Sequence, residues 1–182
     1  MNPTTLHAGH ERTPATTHEP HALHGGHGPY ARLAAMVGLS FLAMFVLMYA
    51  MVDRVDNALP NVNQVWMAGL MAAPMLVLEL VLMRAMYPNR TANVALVALG
   101  VVLTLGFFVA IRQQTAVGDR QFLKSMIPHH AGAVLMCREA SLADPDVVRL
   151  CASIVVSQQK EIEEMQALLA REDALANAEP KR

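Results

Sequence analysis

Three apolar runs, Ala31–Val52, Val62–Met83 and Ala92–Ile111, constrain this chain more than anything else in it. Each is about 20 residues long, and at about 1.5 Å of rise per helical residue that length crosses a hydrocarbon layer of about 30 Å. In lipid the backbone must satisfy its own hydrogen bonds, so runs of this length predict helices. Charged residues make up 16% of the chain and hydrophobic ones 54%, a balance that fits membrane spans and not an ordinary soluble domain. The connections 53–61 and 84–91 are short and polar and contain Pro60 and Pro88, so consecutive spans are expected as antiparallel neighbours. Gly38, Ser40, Ala43, Gly69, Ala72, Ala73, Gly100 and Gly106 offer small positions where backbones can approach. The formal net charge is −1, which gives no electrostatic case for nucleic acid and leaves membrane lipid as the expected surrounding partner.

The spans divide the chain into four parts: a tail over 1–29, a membrane anchor over 30–112, a helical hairpin over 113–172 and a polar end over 173–182. The tail carries His7, His10, His18, His21, His24 and His27 among Pro, Gly and Thr. That composition cannot build a core and predicts disorder. His18, His21, His24 and His27 recur every third residue, a period that aligns imidazoles in polyproline II and makes them candidate accessory metal ligands. A solvated tail is the plainer alternative. It lacks the early apolar core and cleavage site of a secretion signal. Arg32, Arg84 and Arg90 flank one end of the spans, and Arg54, Arg112 and Arg120 the other. The slight bias favours a cytoplasmic N-terminus. Three spans then put the hairpin outside, in the periplasm if the membrane is a bacterial inner membrane.

Within the second run, Met67, Met71, Met75, Glu79 and Met83 recur every four residues. A carboxylate inside a span needs a partner, a proton or a function. Thioethers at that spacing read either as a path for a soft cation or, more plainly, as packing. Met44, Met48 and Met51 in the first run carry the same two readings. Pro74 is expected to kink the second span.

Beyond Arg112 the pattern turns amphipathic. Gly118-Asp119 is a helix start with Asp119 as N-cap, and the helix runs to about Leu142. Asp144-Pro145 starts a second helix, with proline at the first helical position, running to roughly Arg171. The expected seam takes Leu123, Met126, His130, Ala133, Cys137 and Ala140 from the first helix. From the second it takes Cys151, Ile154, Gln158, Ile162, Met165 and Leu169. Folded as an antiparallel hairpin, positions whose numbers sum to about 288 face each other. Cys137 then meets Cys151, His130 meets Gln158, and Met126 meets Ile162.

This pairing gathers Met126, His129, His130, Gln158, Glu161 and Met165 within a few turns. Pro128 removes a helical donor and opens the carbonyl of Lys124, and a kink there is expected to turn His129 and His130 toward one centre with Met136 nearby. Neutral imidazole and thioethers suit Cu(I) or Ag(I), or another soft or borderline metal; zinc favours thiolates, further imidazoles or carboxylates. Singly, each methionine reads as core. Cys137 and Cys151 read as a disulfide, as buried thiols or as further ligands.

Phe122-x3-Met126-Ile127-Pro128-His129-His130-x2-Ala133-x2-Met136, followed by Ile154-x3-Gln158-Gln159-x-Glu161-Ile162-x2-Met165, resembles the bacterial DUF305 domain. The resemblance covers about residues 118–170. It implies a ferritin-like helical arrangement and, for some members, periplasmic copper binding of the CopM-like metallochaperone kind. Onto this chain it carries Met126, His129, His130, Met136 and Met165 as ligands; Cys137 and Cys151 lie outside the motif, and they and Glu161 stay further candidates on their chemistry alone. Gln158 and Glu161 match motif positions without an assigned role. The expectation is an all-α protein, three transmembrane helices followed by an antiparallel hairpin. Two helices bury little surface alone, so the hairpin should be completed by self-association or by docking on the membrane portion. Its expected function is Cu(I) sequestration or handover to or from a partner protein; a metal-free scaffold is the alternative. Di-iron bundles use Glu-x-x-His pairs, which the hairpin lacks, and no HExxH helix, nucleotide loop or nucleophile elbow occurs, so an enzyme is not expected.

Overall fold

The computed structural model describes residues 28–178. The histidine tail, with His18, His21, His24 and His27, lies outside the described residues. Five α-helices follow in order: α1 (Pro29–Leu47), α2 (Val62–Leu82), α3 (Arg90–Arg112), α4 (Asp119–Glu139) and α5 (Pro145–Ala178). The described residues form an all-α protein, as the apolar runs and the amphipathic pattern predict. Three of the helical stretches, Pro29–Met51, Val62–Leu82 and Arg90–Arg112, are long and apolar enough to cross a membrane.

α2 is the middle helix and packs on both α1 and α3. Its buried face is built from Ala68, Gly69, Ala72, Ala73, Leu76 and Leu80. A Cβ on Gly69 would stand 2.6 Å from the Phe107 ring, and one on Gly100 would stand 2.6 Å from Val77 Cγ2. These two glycines set the close approach of α2 and α3. Gly38 and Gly106, expected in the same role, face open space. Asn61 and Asn89 cap α2 and α3 with side-chain oxygens, accepting from Gln64 N at 2.9 Å and Ala92 N at 3.0 Å.

At one end of the bundle Tyr30 Oη accepts from Asn89 N at 3.1 Å and donates to Asn93 Oδ1 at 2.9 Å, tying the start of α1 to the start of α3. Glu79 lies toward this end, and its Oε1 accepts from Tyr87 Oη at 3.3 Å. That hydroxyl is the partner the intramembrane carboxylate needs. At the opposite end α1 tightens into a 3₁₀ turn, Met48–Met51, and the hairpin packs there.

The hairpin is α4 and α5. Asp144 Oδ1 accepts from Asp146 N at 2.8 Å and Val147 N at 3.2 Å, so the second start is capped as expected. At the first start Gly118 takes the cap position and Asp119 stands in the first turn, where a carboxylate favours the positive helix end. α5 runs to Ala178, beyond the expected end near Arg171. Ala and Leu favour helix there, and Arg120 Nε donates to Asp173 Oδ1 at 2.6 Å, holding the extension against the start of α4.

The hairpin is completed by docking on the membrane portion. Ile127, Ala131, Val134 and Ile162 are buried together, and Val52 and Leu59 of the first connection pack into the same cluster. Gln166 Nε2 donates to Asn57 Oδ1 at 2.9 Å, and Gln121 Oε1 accepts from Val62 N at 3.1 Å. Asp53, almost wholly buried, lies 3.8 Å from Arg138 Nη1 and accepts from Asn57 Nδ2 at 2.8 Å.

Candidate functional site

α4 presents two different stripes. The first, Leu123, Ile127, Ala131 and Val134, is buried, and its last three residues pack with Ile162 of α5. The second, Met126, His129, Ala133 and Met136, steps by three and four residues one position away and faces the membrane helices. The expected seam mixed the two, because Met126 and Ile127 both carry large apolar side chains and the spacing rule fits either. Ile127, not Met126, packs with Ile162.

His129 and His130 fall on opposite sides of this division. α4 stays helical through Pro128, so neighbouring side chains keep about 100° between them. Their ring centroids are 6.1 Å apart with the planes inclined at 59°. The kink expected to unite them on one centre does not do so. What Pro128 frees is the Lys124 carbonyl, which accepts from Asn61 Nδ2 at 3.3 Å, an anchor residue reaching into the hairpin.

His130 is directed toward α5. Glu161 Oε2 lies 3.0 Å from its Nδ1, but off the line of an N–H donor, so this buried nitrogen has no aligned hydrogen bond. Glu161, one turn further along α5 than the expected partner Gln158, faces His130. Met165 packs beside the buried Ile127–Ile162 cluster. His130 and Met165 therefore belong to the interior of the hairpin and not with the other three candidates.

Cys137 and Cys151 form a disulfide with Cα atoms 5.2 Å apart. Of the three readings open at the sequence level, this one takes both sulfurs out of any thiolate ligand set.

Met126, His129 and Met136 line one cleft of about 630 Å³ between α4 and the end of the membrane bundle. The far wall carries Met48, Met51 and Met67, with Asn61, Asn63, Gln64 and Gln114 as its polar part. The two walls are held closely. A Cβ on Gly132 would sit 3.3 Å from the Met51 carbonyl oxygen, and Asn63 Nδ2 donates to Ser125 Oγ of α4 at 3.3 Å. Between α3 and α4, Gln114 and Ala116 adopt φ of 51° and 60°, left-handed values that non-glycine residues take at a cost of about 1–2 kcal/mol each. Trp66 Nε1 donates to Thr115 O at 2.9 Å and secures that turn.

The residues lining the cleft include no Asp or Glu. Among the described residues no three His, Cys, Asp or Glu side chains come together as a metal site. The donors that line the cleft are thioethers and one imidazole, soft and borderline and without a carboxylate or thiolate, a set better matched to Cu(I) or Ag(I) than to zinc or calcium. The sequence signal for the anchor wall was present as Met48, Met51 and Met67, but within long apolar helices it is indistinguishable from packing.

Residues 109–169 match the family described as "Domain of unknown function (DUF305)". An uncharacterized protein of Acanthamoeba polyphaga mimivirus is 32% identical over 111 residues, which cover 60% of this chain and 71% of that protein. The chain belongs to the DUF305 family. The aligned stretch is longer than everything from residue 119 onward, so the likeness to that protein takes in part of the membrane helices. No solved structure matches the chain.

Proposed function

We propose that this DUF305 protein is a membrane-anchored binder of Cu(I), or of the chemically similar Ag(I), that sequesters the ion or hands it on in copper homeostasis. It acts as a binding protein and not as an enzyme. The observation that carries this reading is the convergence of Met126, His129 and Met136 on one cleft. Packing does not account for them well: Met136 is 53% exposed and His129 is exposed too, whereas methionines used as core filler are buried. The ion enters as cargo. Neutral donors hold a monovalent soft cation without the desolvation cost of a buried carboxylate.

The reading extends to location. Disulfides persist in oxidising compartments, so Cys137–Cys151 supports a hairpin outside the cytoplasm, periplasmic in a bacterial inner membrane, with the N-terminus inside. The tail histidines would then collect metal on the other side. A copper donor or acceptor protein would meet the cleft. Leu150 and Val156, exposed on α5, support self-association of the hairpins.

The test is a competitive Cu(I) titration of the full chain in detergent against a chromogenic chelator, beside His129→Ala/Met136→Leu. Tight binding by the parent, weakened by about tenfold or more in the variant, is expected. Equal binding, or none in either protein, overturns the copper reading and leaves a metal-free membrane scaffold.

A further inference from the structure

The anchor wall of the cleft carries as many thioethers as the hairpin wall carries soft donors. Met48 closes α1, Met51 ends the 3₁₀ turn, and Met67 lies in the second turn of α2. Two separate segments, the 3₁₀ turn and α2, thus deliver three methionines to the cleft that Met126, His129 and Met136 line from the other side. Met51 and Met67 are 53% and 41% exposed, so neither is consumed by packing. Other exposed methionines of the anchor, such as Met71 and Met83, do not line it.

We infer that the metal site is composite: at least one of Met48, Met51 and Met67 of the membrane anchor supplies a ligand to the same soft cation that Met126, His129 and Met136 bind. The inference rests on the copper reading above and extends it. Cu(I) takes a small number of soft ligands, and the methionine side chain, with three rotatable bonds, can swing its sulfur across a cleft without backbone movement. The backbone contact at Gly132 keeps the two walls within that reach. The ion would then sit at the junction of anchor and hairpin, at the end of the spans, and the anchor is part of the binding chemistry as well as a tether.

Two measurements on the full chain in detergent test this. The first is X-ray absorption at the copper edge of the parent protein loaded with one equivalent of Cu(I). The hairpin wall offers two thioethers, Met126 and Met136, and both cysteines are held in the disulfide. A first shell of three or more sulfur scatterers with an imidazole nitrogen is the expected result; two sulfurs or fewer overturns the composite site. The second is the chelator titration of Met48→Leu/Met51→Leu/Met67→Leu, a nearly volume-conserving change. Loss of affinity by about tenfold or more, with the sulfur count falling, supports the inference. Parent-like affinity in this variant, while Met126→Leu/His129→Ala/Met136→Leu loses it, overturns the inference and leaves the copper reading standing. Absence of Cu(I) binding by the parent brings down that reading, and the composite site with it.

Discussion

His130 keeps its Nδ1 3.0 Å from the Glu161 carboxylate on α5, while the adjacent His129 is exposed at the cleft. About 100° of helical turn separates the two rings' directions, and it assigns them to different surfaces. His130→Ala is therefore expected to leave Cu(I) affinity unchanged, whereas His129→Ala weakens it by about tenfold or more. Side-by-side chelator titrations of the two single variants check this, and a larger loss in His130→Ala would contradict the division. That adjacent histidines after Pro128 form a candidate site was legible from the motif alone. Which one faces the cleft was not, because that depends on where the first connection and the start of α2 dock. That Cys137 lies level with Cys151 was legible from the antiparallel hairpin; that the two are bonded was not, because facing sulfurs also fit free thiols or ligands.

At the scale of elements, α4 is pressed on two sides. α5 covers the Ile127–Val134 stripe, and the 3₁₀ turn and the start of α2 approach the Met126–Met136 stripe. Helix existence and order followed directly from apolar periodicity and from Asp144-Pro145. The stripe register did not, because two neighbouring stripes of α4 both carry apolar residues and only tertiary packing chooses between them. Ile127, fully buried, lies at the centre of the chosen one. Ile127→Ala is expected to destabilise the hairpin by about 2–5 kcal/mol, read as earlier chemical denaturation in detergent. Met126→Ala on the other stripe should cost clearly less. The disulfide closes a loop of sequence separation 14, for which chain entropy predicts about 3 kcal/mol of stabilisation. Mild reduction should shift the same unfolding transition by that amount, and an unmoved transition would show that docking on the anchor already holds the hairpin.

Over the whole molecule, the spans and the hairpin form one structure through Asn57–Gln166, Asn61–Lys124 and the close contact at Gly132. Docking on the anchor supplies the buried surface that two helices lack alone. It also creates the cleft, which neither part possesses by itself. The start of α1 and the hairpin lie at opposite ends of the bundle. Glu79, satisfied by Tyr87, belongs to the far end and is not part of the cleft. The most direct test of the account is an anomalous-scattering map from crystals of the full chain loaded with Cu(I) or Ag(I). One strong peak in the cleft beside His129 and Met136 is expected. A peak instead at His130, Glu161 and Met165 inside the hairpin, or no protein-bound peak at all, would contradict it.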